Sequence, residues 1–283
     1  MSARGDTSAL KQASIPALAD SFGGVESAVR DNQAALARSK PQVRASFLLT
    51  TDAPQPIARA EFLCGVFGAS GQTRDSAVFV LHNLPQGKYG VIILDLTSDQ
   101  DALTLTFILQ SAGADWKLAG FYAKYARASG HDATWFTERA RQFKARSQNH
   151  NAWLYYREAV GLSSPVDFMS TLATDKLYEE MQTVLPADMP TDENAIDWNA
   201  GGKTYRWTQI APLSVGGDLD IKVTYDSADV SNTTRTFQEN TAVIRALIAK
   251  FPELRAAFTA VEAQAVDPSG HDFSSLLAIK DIP

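Results

Sequence analysis

Tyr89-Gly-Val-Ile-Ile-Leu-Asp-Leu96, Ala102-Leu-Thr-Leu-Thr-Phe-Ile-Leu-Gln110 and Trp116-Lys-Leu-Ala-Gly-Phe-Tyr-Ala-Lys-Tyr125 read as three consecutive strands separated by polar turns. In the middle segment Leu103, Leu105, Phe107 and Leu109 alternate with Thr104, Thr106 and Ile108, the period-2 signature of a strand with two unlike faces. Ala77 to Leu81 and Val91 to Leu96 are nearly continuous apolar runs, as strands covered on both sides are. Leu84-Pro-Gln-Gly-Lys88, Thr97-Ser-Asp-Gln-Asp101 and Ser111-Ala-Gly-Ala-Asp115 have hairpin length and turn chemistry. From Ser76 to Tyr125 the expectation is a four-stranded antiparallel meander.

Upstream the period is helical. Ser14-Ile-Pro16 begins a helix, Gly23-Gly24 breaks it, and Val25, Ala28, Val29, Asn32 and Leu36 follow helical spacing towards Pro41. Pro54 and Pro56 introduce another short helix, on which Ile57, Ala60, Cys64 and Phe67 share a face. These helices are expected to cover the apolar face of the sheet. Downstream, residues 131–185 read as a helical layer of three segments, marked by Trp135, Phe136, Ala140 and Phe143, by Ala152, Trp153, Tyr156, Ala159 and Val160, and by Leu177, Met181 and Val184.

Residues 186–203 hold two prolines, two glycines and several acids with little apolar periodicity, and are expected to be a linker. Beyond them Tyr205 to Leu213 and Asp218 to Tyr225 form a hairpin. A helix capped by Thr236 and Glu239 follows, burying Phe237, Thr241, Ile244, Ile248 and Phe251, and a last hairpin covers 261–279. The fold class is α+β: N-terminal helices on a four-stranded antiparallel meander, a helical layer, and a C-terminal ββαββ unit. The expected domains are 1–185 and 204–283.

A chain of 283 residues, 45% hydrophobic and 20% charged, has the composition of a soluble globular protein and is long enough for two cores. A formal charge of −6 argues against a sequence-independent grip on nucleic acid, and the basic run from Arg139 to Arg146 reads as a solvated helix face. The single cysteine, Cys64, has apolar neighbours and reads as a buried small hydrophobe. No run approaches the ~18 apolar residues of a membrane span. The polar start Met1-Ser-Ala-Arg-Gly-Asp-Thr fits a cytoplasmic terminus, or a periplasmic or secreted protein whose leader was removed.

Asp115-Trp-Lys-Leu-Ala-Gly-Phe-Tyr122 resembles the last strand of domains in the NTF2-like and cystatin-like group, and the likeness extends over residues 10–125. It implies a curved sheet behind N-terminal helices, with a concave face that in some members forms a pocket. No acid–base pair of the enzymatic members maps onto this chain. Residues 135–165 resemble one tetratricopeptide-type helical hairpin, with Phe136, Ala140, Phe143, Ala152, Tyr156 and Ala159 near the repeat's packing positions and Pro165 near its terminal proline. A single copy needs other surfaces to bury its faces.

Local chemistry is sparse. His82, His131, His150 and His271 lie in no metal-ligand spacing, so neither a metal nor a cofactor is expected. Ser129-Gly-His-Asp132 recurs as Ser269-Gly-His-Asp272, for which turn and capping roles are expected. Gly201-Gly-Lys-Thr204 lacks the earlier glycine and the following helix of a phosphate loop. Asp95 is the one acid interrupting an apolar strand. Facing a pocket with His82 or Tyr122, it would be a general-base candidate. Trp153 and Tyr155 are candidates to line a groove, although aromatics at helical spacing are more often core. The function expected is a non-enzymatic binding or interaction module for a protein, peptide or small molecule. The alternatives are a small-molecule binder or enzyme with a pocket around Asp95 and Tyr122, and a structural subunit of a larger assembly.

Overall fold

The computed structural model describes residues 7–97, 102–191 and 194–283. Residues 98–101 of the turn expected at Thr97 to Asp101 and the first six residues of the polar start lie outside them. In chain order the elements are α1 (Ser8–Gln12), α2 (Pro16–Asp20), α3 (Gly23–Asp31), α4 (Gln33–Arg38), β1 (Lys40–Thr51), β2 (Ile57–Gly68), β3 (Gly71–Leu84), β4 (Gly87–Thr97), β5 (Ala102–Ala112), β6 (Asp115–Tyr125), β7 (Arg127–Ala128) and β8 (His131–Asp132). There follow α5 (Ala133–Ala145), α6 (Asn149–Ser163), β9 (Met169–Thr171), α7 (Leu172–Gln182), β10 (Ile196–Ala200), β11 (Lys203–Val215), β12 (Asp218–Asp226), α8 (Thr233–Lys250), β13 (Ala260–Val266) and β14 (Asp272–Ala278). The class is α+β.

The chain packs as two compact units, residues 1–127 with 160–177, and residues 128–159 with 178–283. In the first, a four-stranded antiparallel sheet has the order β1-β4-β5-β6 and a smaller sheet the order β2-β3-β9. Strand β4 is apolar on both faces, and β5 buries Leu103 and Leu105 on one face and Thr104 and Thr106 on the other, so each face of the sheet needs a cover. Helices α1–α4 supply one: Phe22, Val25, Val29 and Leu36 pack on Leu96, Leu103, Leu105, Leu118 and Phe121. The three-stranded sheet supplies the other, setting Ala60, Ala77 and Phe79 against Leu49, Tyr89, Val91 and Ile93.

Two expectations are corrected here. The place beside β4 belongs to β1 and not to the strand at 76–81, because the chain crosses between layers after Leu84 and β3 pairs with β2 instead. Residues 57–67 form the strand β2, not a helix. Ala60, Phe62 and Cys64 face the core while Arg59, Glu61 and Leu63 face out, and this period-2 pattern has the partner β3 to pair with.

In the second unit, β10-β11-β12-β13-β14 form one sheet, antiparallel except between β12 and β13. α8 covers one face, burying Val243, Ile244, Leu247 and Ile248. The expected ββαββ order is present with one strand added. Residues 186–203 are therefore not merely a linker, since Ile196, Trp198 and Ala200 point inward from β10 between the exposed Asp197 and Asn199.

The start of α8 also differs. Its cap is Asn232, whose side chain accepts from the Arg235 amide, so Thr236 is a buried interior residue donating to the Asn232 carbonyl and Glu239 pairs with Lys203. That phase leaves Phe237 49% exposed. The repeated tetrapeptide serves turns and caps: Asp132 accepts from the Trp135 amide to cap α5, and Asp267 accepts from the amides of Ser269 and His271 in the β13–β14 turn.

Candidate functional site

The register of the four-stranded sheet places Asp95, Thr104 and Lys124 in one row and Ile93, Thr106 and Tyr122 in the next, on the same face. Asp95 and Tyr122 are thus brought to one region. A β-bulge between Val43 and Ala45 turns Arg44 towards it. The Arg44 guanidinium holds both carboxylate oxygens of Asp95, at 2.9 Å from Nε and 2.5 Å from Nη2, and Nη2 also donates to the Thr104 hydroxyl at 3.0 Å. With both carboxylate oxygens engaged, this arrangement acts as a clasp joining β1 to β4 and β5. Lys124 pairs with Asp167 at 2.6 Å, and the half-exposed Tyr122 ring meets Phe168 edge-on.

The other sequence candidates lie elsewhere. His82 is exposed on β3, opposite Arg59 in the smaller sheet. Trp153 and Tyr155 belong to α6 and are buried. The Tyr155 hydroxyl donates to the Ala257 carbonyl at 2.7 Å, its ring lies among Phe136, Phe143 and Phe258, and burial pushes its pKa up to about 12. Tyr156, likewise pushed up to about 12 by burial and by donating to Glu180, completes a network in which Arg141 grips both Glu180 oxygens. These aromatics are core.

His150 is held from both sides, its ring nitrogens 2.5 Å from Glu253 Oε1 and 2.9 Å from Asp188 Oδ1. Among the described residues no group of three or more His, Cys, Asp or Glu side chains is placed to hold a metal ion. Depressions among the described residues of the first unit include these two. One, of about 400 Å³, is lined by Arg74, Thr171, Leu172, Ala173 and Lys176 where α7 begins. The other, about 650 Å³ and wide open, lies between residues 14–17 and 110–117. Asp95, Tyr122 and His82 line neither.

The feature that sequence reasoning missed is a strand edge. Among the described residues β2 is the terminal strand of its sheet, paired only with β3, so one row of its amides and carbonyls has no strand beside it. Leu63 and Val66 are 64% and 63% exposed along it. Pro56 precedes the strand, and a bulge at Gly65 interrupts it. Gly65 has φ +86°, and a Cβ there would collide with the Asp75 carbonyl, so the bulge is fixed. Beyond it the Val66 carbonyl accepts from the Thr73 hydroxyl. The regular open edge is therefore residues 57–64.

Of the two long terminal strands of the other sheet, β6 takes residues 13–15 against Leu118 on its free side, and β1 is defended. Pro41 lies within it, its bulge twists it, and its charges, Lys40 and Arg44, are of one sign. The alternation Ile57, Arg59, Glu61, Leu63 without an internal proline was the available signal for the edge on β2. No family model, curated protein or solved structure matches the chain.

Proposed function

We propose that this protein is a non-enzymatic interaction module whose first unit receives an extended polypeptide strand on the open edge of β2. The observation that carries this is the length of undefended edge, residues 57–64, with outward Leu63 largely exposed. Strand addition draws affinity from main-chain hydrogen bonds and selectivity from alternate side chains, and β2 offers both. The neighbouring terminal strand β1 carries the devices that prevent such pairing.

Panning a phage-displayed library of alternating apolar and polar peptides against the protein tests it. Peptides are expected whose binding is lost in Leu63→Lys and kept in Leu48→Lys, a charge added at a comparably exposed position on β1. Enrichment of no peptide that depends on Leu63 overturns the proposal.

A further inference from the structure

The side chains along the open edge are ordered about a centre. Read outward from Ala60, Ile57-Ala58-Arg59-Ala60-Glu61-Phe62-Leu63 has opposite charges one step away, a small and a large residue two steps away, and aliphatic residues three steps away. We infer that the strand received by β2 is the β2 of a second copy, antiparallel, with a two-fold axis through Ala60; this rests on the strand-edge reading above and names its occupant.

Under that axis residue i meets residue 120 − i. Arg59 then faces Glu61 of the other copy, and Glu61 faces its Arg59. Ile57 meets Leu63, and Ala58 meets Phe62. Arg59, Glu61 and Leu63 share the outward face, so the two charge pairs form on one side of the joined sheet, where opposite charges directly across a ladder stabilise it, while Ile57, which packs towards the core, gives Leu63 an apolar neighbour at each end of the ladder. In the single chain Arg59 and Glu61 hold each other at 3.0 Å with both side chains about half exposed, and the two-fold exchanges that local pair for two cross-copy pairs.

An axis through a residue suits either hydrogen-bonding parity of the edge. With Ala60 outward, 58, 60 and 62 form the bonded pairs; otherwise 57, 59, 61 and 63 do. Pro56 and the Gly65 bulge stop the ladder at both ends, and Ala60 is one of the two central residues of the 57–64 that remain. A heterologous partner would need matching charge, size and length in mirrored order; a second copy has them by identity. Seven residue pairs make a small interface, so association should be weak and concentration-dependent.

Sedimentation of the full chain over concentrations from about 1 to about 500 μM tests this. The wild type should pass from monomer to dimer. Arg59→Glu places two pairs of acids across the axis, Glu61→Arg two pairs of bases, and each should weaken dimerisation by about tenfold or more. An equimolar mixture of the two variants places opposite charges in both pairs and should restore a dimer containing one copy of each. Leu63→Lys should weaken dimerisation and Leu48→Lys should leave it unchanged. All four positions are exposed, and unchanged melting curves confirm that the variants fold.

A wild type that stays monomeric throughout overturns the inference, as does a dimer indifferent to Arg59→Glu and Leu63→Lys, or a mixture that stays monomeric. If the wild type is monomeric while Leu63-dependent peptides are still selected, the second copy fails and the strand-edge function stands. If neither is seen, both fail.

Discussion

The two units bury polar groups differently. Tyrosines apart, the buried polar side chains among the described residues of the first unit are small hydroxyls, Ser14, Thr51, Ser76, Thr104 and Thr106, and its charged pairs are solvated, with each partner about a third exposed or more. The second unit buries two carboxamides and a carboxylate, Asn151, Asn240 and Asp220. At its centre the Tyr225 hydroxyl donates to Asn240 Oδ1 at 2.7 Å, while Asn240 Nδ2 donates to the Phe273 carbonyl and the Ser275 hydroxyl. Shape complementarity between apolar layers defines the first core. In the second, a hydrogen-bond pattern also fixes how α8 sits on the sheet.

The contrast is broken most directly at Asn240. Replacing it with Leu keeps the volume but leaves Tyr225, Ser275 and the Phe273 carbonyl without partners, and should cost about 2–4 kcal/mol in urea unfolding. Part of that loss should return when Tyr225→Phe is added, since the orphaned hydroxyl is then gone. A cost below about 1 kcal/mol would mean that the network does not specify this core.

Asp220 tests the same contrast through pH. Burial raises its pKa, and only one of its oxygens has a partner, the Ala260 amide. Because the folded state holds this proton more tightly than the unfolded chain, the protonated group adds stability that is full below the unfolded carboxyl pKa, about 3.9. That stability is lost as pH rises through the folded value. Asp220→Asn should therefore stabilise by about 1 kcal/mol at neutral pH and by almost nothing near the unfolded pKa. An equal effect at both would show that ionisation is not the cause.

The smallest effect is expected in the first unit. Arg44→Gln opens the clasp on Asp95, a pair about one-third exposed on each side, and should cost no more than about 1 kcal/mol. High salt should shrink the difference, as for other solvated pairs. A loss as large as that of Asn240→Leu would abolish the distinction between rim and centre.

How legible these features were in sequence followed from how many constraints each residue served. The strands of residues 89–125 were readable because alternation, apolar runs and turn residues agree. β1 was not, since most of its side chains are exposed and carry no pattern. At β2 the residues Ile57, Ala60, Cys64 and Phe67 fit a helical face as well as a strand, and the Gly65 bulge shifts the phase so that no single period fits the whole stretch. Thr236 looked like a cap although Asn232, four residues earlier, was as good a candidate and takes the cap position. Asp95 and Tyr122 lie on one face of the sheet, but Arg44 comes from 51 residues away, and local sequence cannot announce such a neighbour.

The unequal strand edges of the first unit set a valence. One long edge is blunted by a proline, a bulge and like charges, and the far side of the smaller sheet ends in the three residues of β9. Strand β6 gives part of its free edge to residues 13–15, which bond Leu118, so among the described strand edges of this unit β2 is the one proposed for pairing. A two-fold contact is closed, because each copy spends its β2 edge on the other, so pairing through β2 halts at two copies, short of a fibre.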